Sequence, residues 1–469
     1  MEIQFWGAAR TVTGSKHLLH LDNGKKILLD CGLFQGEGKE TFSLNSAWGF
    51  EPSEIDVVLL SHAHIDHTGL LPKLVKDGFN GPIYATAATI DLCNIMLLDS
   101  ARIQESDLKF VNKRRMAKRQ ELLEPLYDED DAKKTLSLMR EIPHKKSIEI
   151  DDYLTLSTFD NGHILGSVAL FLEIKTKENK ILKLAFTGDI GRECDAILNK
   201  PVPFPQADYI ISESTYGDRL HEAQENVEKR LLEIITRTCI EKHGKIIIPA
   251  FSVDRTQELI YALDRLYFFK KLPVIDVYVD SPLSVKATQA MGRHKENFNP
   301  EILEYITKDG DPFCFPNLHY VKEVEESKKI NSSKKPCIII SASGMAEAGR
   351  IKHHLRNNIE NENNTILLVG YASPGSLAGR IKAGNPFVKI FGEEFEVKAN
   401  VEVMENFSAH GDYKEMIDYL SHQDETKVKK LFLVHGEYDT QLAFAEKLKA
   451  VGFKHIEIPQ KGVKYSIII

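Results

Sequence analysis

Paired cysteines are missing from this sequence. It has six cysteines, and no two of them stand at the C-x-x-C spacing that marks many zinc and redox sites. We therefore expect reduced thiols in or near the core. A chain of 469 residues can bury a large hydrophobic core without disulfides, and its length predicts two domains of roughly 150 to 250 residues. The cysteines are Cys31, Cys93, Cys194, Cys239, Cys314 and Cys337.

Long apolar runs are also missing. No uninterrupted stretch approaches the ~20 residues that a membrane span requires. The first residues, MEIQFWGAARTVTGS, lack the basic start and the apolar run of about 7 to 15 residues that identify a signal peptide. With 42% hydrophobic and 27% charged residues, the composition is typical of soluble globular proteins. These features predict a cytoplasmic protein that does not enter a membrane.

A net positive charge is absent as well. The formal net charge is -8, so the protein as a whole does not attract nucleic acid, which would have to bind a local basic surface. The charge disfavours a nonspecific nucleic-acid coat protein, but it allows a nuclease with a basic cleft.

Apolar patterning divides the chain. Runs such as EIQFWG, KHLLHL and DVVLLS make the first part strand-rich. After about residue 214, strand-like runs such as KIIIPAF alternate with helical ones such as DRTQELIYALDRLYFF. This alternation is typical of a parallel sheet covered by helices. Short strands return from about residue 391, which predicts a strand-rich body interrupted by an inserted α/β domain.

The most informative segment is SHAHIDHTG at residues 61–69. It places four potential metal ligands, His62, His64, Asp66 and His67, on a loop between a buried strand and a helix. Four such groups crowded together would cost several kcal/mol unless something bound them. Imidazole and carboxylate suit zinc, although manganese or iron would also accept these ligands.

Two further candidates follow apolar runs elsewhere in the chain. His163 lies in DNGHILGS and Asp189 in FTGDIG, each at the predicted end of a strand. Either alone would be a weak signal. Together with the loop they supply two histidine-rich half-sites and one carboxylate placed to bridge them.

These motifs resemble a known family. SHAHIDHTG, His163, Asp189 and Asp30 in LLDCG are similar to the ordered motifs of the metallo-β-lactamase fold. The inserted domain, ESTYG at 213–217, FSAH at 407–410 and LVHGE at 433–437 resemble its β-CASP branch, which includes the cleavage and polyadenylation endonuclease and its bacterial and archaeal relatives. The resemblance covers essentially the whole chain. In its length and its lack of extensions, the chain most resembles the short bacterial members of the branch.

The resemblance implies an αββα sandwich with an inserted β-CASP domain built on a parallel α/β sheet. The implied parts are residues 1–214 and 391–469 for the metallo-β-lactamase domain and 215–390 for the insertion. It implies that His62, His64 and His163 hold one zinc, that Asp66, His67 and His435 hold a second, and that Asp189 bridges the two. Asp30 would orient a ligand through hydrogen bonds.

The implied chemistry is hydrolysis of a phosphodiester bond. Two metals about 3.5 to 4 Å apart can share a hydroxide and clamp a phosphodiester oxygen, so the expected nucleophile is water bound to metal, with Asp66 among the catalytic groups. By resemblance, His410 gives a proton to the leaving ribose oxygen and Glu213 holds His410 in its protonated form. Without the resemblance, His410 could equally cap a helix.

Three substrate-binding residues are predicted. The turn containing Ser343 and Gly344 follows a strand and precedes a helix, where free backbone N–H groups bind anions. Arg255 in DRTQEL is a candidate contact for a phosphate backbone, although pairing with a neighbouring Asp or Glu explains it at least as well. The predicted partner is single-stranded RNA in a cleft between the domains. A homodimer, the RNA target and the choice between endonuclease and 5′-exonuclease action are left open.

Rival functions use the same ligands. A thioesterase or lactonase of this fold would not need the inserted domain or the FSAH and LVHGE motifs. DNA nucleases of the branch tend to replace the last histidine with an aliphatic residue, whereas this chain has His435. A scaffold subunit would lack ligands that are all present here. An endoribonuclease of RNA processing or decay is therefore the favoured hypothesis.

Overall fold

The computed structural model describes residues 1–36, 40–143, 146–221, 227–370, 372–373, 375–404 and 407–468. The chain forms two compact units, Met1–Leu220 together with His410–Ile469, and His221–Ala409. The domain boundaries predicted at 214 and 390 stay a prediction. No helix in the described part of the chain is long and apolar enough to cross a membrane.

The first unit contains two seven-stranded sheets. Numbered along the chain, the strands of the first sheet are β1 (Glu2–Gly7), β2 (Lys16–His20), β3 (Lys26–Leu29), β4 (Val57–Leu59), β5 (Ile83–Thr86), β6 (Met139–Ile142) and β22 (Lys464–Ser466), in the order β22-β1-β2-β3-β4-β5-β6. The strands of the second are β7 (Ile148–Asp151), β8 (Leu154–Asp160), β9 (Val168–Lys175), β10 (Ile181–Phe186), β11 (Tyr209–Ser212), β20 (Lys430–Leu433) and β21 (Ile456–Glu457), in the order β21-β20-β11-β10-β9-β8-β7.

Helices cover these sheets. They are α1 (Thr41–Ser46), α2 (Ile65–Thr68), α3 (Leu71–Lys76), α4 (Ala87–Ala117), α5 (Glu129–Leu138), α13 (Tyr413–Leu420) and α14 (Tyr438–Ala450). Helix α4 contacts β5 and β6 of the first sheet. Met416 of α13 and Phe444 of α14 join a core with Ile210 and Leu433 on one face of the second sheet. The unit is therefore a four-layer sandwich of helices, two sheets and helices.

The core between the two sheets is built from their inward-facing residues. Phe5 and Leu29 of the first sheet cluster with Leu156, Leu170 and Phe186 of the second. The sequence of β8, LTLSTFD, alternates buried and half-buried residues because successive side chains of a strand point to opposite faces.

The second unit contains a parallel six-stranded sheet in the order β14-β13-β15-β12-β16-β19. Its strands are β12 (Ile246–Pro249), β13 (Asp276–Val279), β14 (Leu318–Tyr320), β15 (Cys337–Ser341), β16 (Thr365–Val369) and β19 (Asn400–Met404), and β17 (Phe387–Ile390) pairs with β18 (Glu393–Glu396). Its helices are α6 (Val227–Ile235), α7 (Arg255–Phe268), α8 (Pro282–Arg293), α9 (Pro300–Asp309), α10 (Val324–Ser332), α11 (Ile351–Asn358) and α12 (Leu377–Lys382). Every residue of β15 and β16 is buried, as in sheets with both faces covered.

Candidate metal centre

One edge of the first unit collects the predicted ligands. Strands β3 and β4 are parallel, and so are β10, β11 and β20, so their carboxyl ends lie on common edges. Asp30 follows β3, the His62 loop follows β4, Asp189 follows β10, and His435 follows β20. The fold thereby brings together residues more than 370 positions apart in the sequence.

The loop after β4 is fixed by its backbone. Ser15 N donates to Asp66 O at 2.8 Å, Cys31 N donates to His67 O at 2.7 Å, and Leu33 N donates to Ile65 O at 3.0 Å. Gly32 makes this close approach feasible, because a Cβ atom there would lie 1.6 Å from Asp66 O. Short α2 then turns Asp66 and His67 into the site.

The first half-site contains three imidazoles. Nδ1 of His64 lies 3.1 Å from Nε2 of His62 and 3.1 Å from Nε2 of His163. Oδ2 of Asp189 lies 3.6 Å from His62 Nε2 and 3.5 Å from His163 Nε2. These four side chains offer ligand atoms that all lie within 4.8 Å of one another.

The second half-site adjoins the first through Asp189. Nε2 of His435 lies 3.4 Å from Asp66 Oδ2, and His67 Nε2 lies 3.4 Å from Asp189 Oδ2. Asp189 Oδ2 is also 3.7 Å from His435 Nε2. One carboxylate oxygen thus faces nitrogen atoms of both half-sites, as the bridging assignment requires.

These distances fit divalent metal ions. Zinc bonds of about 2.0 to 2.2 Å in tetrahedral geometry place neighbouring ligand atoms roughly 3.3 Å apart, close to the spacing found here. His67 Nε2 and Asp189 Oδ1 are buried and form no hydrogen bond with any described residue. Buried polar atoms without a hydrogen-bond partner destabilise the folded protein unless a cation binds them.

Hydrogen bonds on the far side of two rings orient His62 and His67. Asp30, which is fully buried, accepts from His67 Nδ1 at 2.7 Å and from Ser61 N at 2.8 Å. The Ser61 hydroxyl donates to Asp30 at 2.7 Å, so its oxygen accepts from His62 Nδ1 at 3.0 Å. Both histidines therefore direct Nε2 at the site.

Thr215 has the same relationship with His435. Its hydroxyl donates to the His435 carbonyl at 3.1 Å and accepts from His435 Nδ1 at 2.9 Å. Sequence reasoning missed both Ser61 and Thr215. The available signals were weak: Ser61 directly precedes a ligand, and Thr215 lies within ESTYG.

Electrostatics favour the ligand forms of His64 and Asp66 and the protonated form of His67. Burial lowers the pKa of His64 to about 4, which keeps that imidazole neutral. Burial alone would raise the pKa of Asp66, but the hydrogen bond and charge of His435 and the charge of His67 lower it to about 2. Burial alone would also lower the pKa of His67, yet Asp189 and Asp30 raise it well above its ordinary value.

His410 and Glu213 form a pair beside the first half-site. Nδ1 of His410 lies 3.1 and 3.2 Å from the two carboxylate oxygens of Glu213, and its ring centroid is 4.5 Å from that of His163. The buried Glu213 carboxylate also accepts from the backbone N–H groups of Ile190 and Thr215. Burial alone would lower the pKa of His410, but the negative charge and hydrogen bond of Glu213 raise it to about 9.

The predicted substrate-binding residues belong to the second unit. Arg255 begins α7 and is paired there with Glu258 and, at 3.2 Å, with Asp254. Ser343 and Gly344 follow β15, and α11 begins at Ile351, so the turn does not open directly into the helix. Gly344 packs so closely that a Cβ atom would lie 2.7 Å from Phe251. Their roles stay a prediction.

The fold and the clustered ligands define a class, the metallo-hydrolases with a metallo-β-lactamase sandwich. Residues 18–203 match the metallo-beta-lactamase superfamily domain, residues 256–381 match the Beta-Casp domain, and residues 394–459 match the Zn-dependent metallo-hydrolase RNA specificity domain. The chain belongs to the β-CASP family of the metallo-β-lactamase superfamily. The predicted family and fold are confirmed.

Curated relatives align with nearly the full chain. Ribonuclease TTHA0252 of Thermus thermophilus is 35% identical over 98% of this chain and 99% of its own. Transcription termination factor FttA of Methanocaldococcus jannaschii is 30% identical over 98% of this chain and 70% of its own. The RNase J-like protein of the same organism is 28% identical over 97% and 96%.

Proposed function

We propose that this protein is a zinc-dependent ribonuclease that hydrolyses phosphodiester bonds within single-stranded RNA. The observation that supports it most is the placement of Asp189 between two half-sites, with the His410–Glu213 pair alongside. The name of the Thermus thermophilus relative supports RNA as the substrate. The predicted cleft and homodimer stay predictions.

We assign His62, His64 and His163 to one zinc ion, Asp66, His67 and His435 to the other, and Asp189 to both. When bound, two zinc ions would activate water and neutralise charge on the phosphate. Asp30, Ser61 and Thr215 hold the imidazoles in the tautomers that such binding requires.

His410 acts as the proton donor to the leaving group in this proposed reaction. Its Nδ1–H donates to Glu213, which leaves the proton on Nε2 available to the leaving ribose oxygen. As water adds to phosphorus, it releases one proton to solvent and the phosphorus–oxygen bond breaks, and the proton of His410 converts the leaving alkoxide into an alcohol. Since the pKa of His410 is raised to about 9, the donor is charged at neutral pH.

The test uses zinc-loaded protein with end-labelled single-stranded RNA and DNA of the same sequence. We expect internal cuts in RNA that disappear in Asp66→Ala and His410→Ala. Matched controls are Asp152→Ala, in an exposed turn, and His422→Ala, after the end of α13, which should cleave normally. Cleavage of DNA alone, or Asp66-dependent hydrolysis of thioesters or lactones without RNA cleavage, would contradict the proposal.

A further inference from the structure

Arg10 is located between β1 and β2, and among the residues that the structure describes no carboxylate forms a salt bridge with it. Its guanidinium lies over the ring of Tyr438, 4.4 Å from the centroid. Nη2 donates one long hydrogen bond, 3.4 Å, to Ile458 O. Nε is buried and forms no hydrogen bond with any residue that the structure describes. Such a donor is costly to leave unmatched, so the guanidinium is suited to an anion.

Arg10 lies beside the second half-site. Ala8 O accepts from His435 N at 2.8 Å, and Thr11 O accepts from Gly436 N at 3.3 Å. Arg10 therefore stands between two residues that hold the backbone at and after His435. Tyr438 follows His435 by three residues, begins α14 and is 41% exposed.

The backbone of this segment is strained. Ala8 and Arg10 have φ values of 48° and 62°, in a turn that Ala8 N closes by donating to Thr13 O at 3.0 Å. The left-handed conformation costs a residue with a side chain roughly 1 to 2 kcal/mol. Strain of this kind tends to occur where a side chain must be aimed at a ligand.

The chemistry of the pair matches a nucleotide. A guanidinium binds phosphate through two parallel N–H groups, and an exposed aromatic ring stacks on a nucleobase. Glu437 and Asp439 flank Tyr438 in the sequence and are exposed.

We propose that Arg10 and Tyr438 form a one-nucleotide subsite of the RNA substrate. Arg10 binds the phosphate next to the one that is cleaved, and Tyr438 holds the guanidinium and stacks on the adjoining base. This inference rests on the proposed ribonuclease function and adds a contact that the metal centre does not provide.

The test measures binding of a single-stranded RNA oligonucleotide to zinc-loaded protein carrying His410→Ala, over a range of salt concentrations. Adding Arg10→Met should raise Kd about tenfold, since a hydrogen-bonded charge contact is worth at least that much. It should also reduce the slope of log affinity against log salt by about 0.7, the value for one lost phosphate contact on a single strand.

The matched control is Lys180→Met. Lys180 is exposed and paired with Glu178 in the hairpin before β10, at the opposite end of that strand from Asp189. Lys180→Met removes one positive charge, as Arg10→Met does, so any effect of net charge alone appears in both variants. Arg10→Lys should keep the salt slope while weakening binding, and Tyr438→Ala should weaken binding at every salt concentration.

Equal Kd and slope in Arg10→Met and Lys180→Met would overturn the subsite. So would weaker binding by Arg10→Met with an unchanged slope, because a structural defect acts equally at all salt concentrations. If the parent protein fails to bind RNA at all, the ribonuclease proposal fails with it, and that result is distinct from a selective failure of the variant. Zinc content equal to that of the parent verifies that each variant is folded.

Discussion

Thr215 fixes the orientation of His435 by bonding both to its backbone carbonyl group and to its imidazole ring. The threonine hydroxyl donates to the His435 carbonyl oxygen at 3.1 Å and accepts from Nδ1 at 2.9 Å. The backbone of His435 is left-handed, with φ of 51°, so this residue depends on neighbouring groups to keep its conformation.

Thr215→Val should lower zinc affinity at the second half-site by about 10- to 100-fold, the usual effect of losing a group that orients a metal ligand. Thr215→Ser keeps the hydroxyl and should restore most of the affinity. Zinc content measured after titration with a competing chelator checks both. Thr155→Val, within β8, is the control, and a similar loss there would contradict the assignment.

The sequence predicted which side chains cluster at the candidate metal centre better than it predicted the residues that support them. His62, His64, Asp66 and His67 stand out because imidazole and carboxylate groups rarely crowd into six residues without binding a metal. Family and fold were also predicted, and the comparisons confirm both.

Ser61, Thr215 and Arg10 were not identified, for a physical reason. Hydroxyl residues cap helices and turns throughout any protein, so their type does not point to a metal. Their role depends on tertiary contacts between segments far apart in the chain, as between Thr215 and His435. Similarly, the pairing of Arg255 with Asp254 and Glu258 depends on side-chain conformations that spacing does not specify.

Gly32→Ala should disrupt the metal-binding loop. Its added methyl group would meet Asp66 O at 1.6 Å and His67 N at 2.6 Å, and backbone atoms cannot move aside as a flexible side chain can. We expect loss of zinc at the second half-site and a fall of at least ~1 to 3 kcal/mol in the free energy of unfolding. Chemical denaturation and zinc analysis measure the two effects.

The control for this substitution is expected to raise the free energy of unfolding, whereas Gly32→Ala is expected to lower it. Gly292 lies in α8, is exposed, and would place a new Cβ atom near no other atom. Gly292→Ala should therefore raise the free energy of unfolding by up to about 0.5 to 1 kcal/mol. A loss of stability in Gly32→Ala no larger than the change in Gly292→Ala would contradict the close approach of Gly32 and Asp66.

Zinc binding to metal-free protein should release protons at pH 7. The pKa of His67 is raised well above its ordinary value, against the effect of burial, by Asp189 and Asp30, so the metal-free residue is protonated there. A zinc ligand must be neutral at Nε2, so affinity should rise with pH. Calorimetric titration with zinc in two buffers of different ionisation enthalpy measures the number of protons released on binding.

His67→Gln should release fewer protons than the unsubstituted protein. His422→Gln, which changes an exposed histidine after α13, should release the same number. Zinc binding without proton release at pH 7 would show that His67 is already neutral and would contradict this prediction.

Glu213→Gln should change the pH dependence of RNA cleavage rather than its metal requirement. In the unsubstituted protein the donor His410 keeps its proton up to a pKa of about 9, because the negative charge of Glu213 outweighs burial. A neutral glutamine removes that charge, and burial then lowers the pKa. The protonated donor is lost as pH rises, so the alkaline limb of kcat/KM should move to lower pH, with a larger loss of activity at pH 8 than at pH 6.

His410→Gln should instead lose activity at every pH, because no donor remains. Profiles of kcat/KM between pH 5.5 and 9.5, with zinc content measured for each variant, separate the two effects. An equal loss at all pH values in Glu213→Gln would mean that Glu213 supports the backbone N–H groups of Ile190 and Thr215 without setting the protonation of His410.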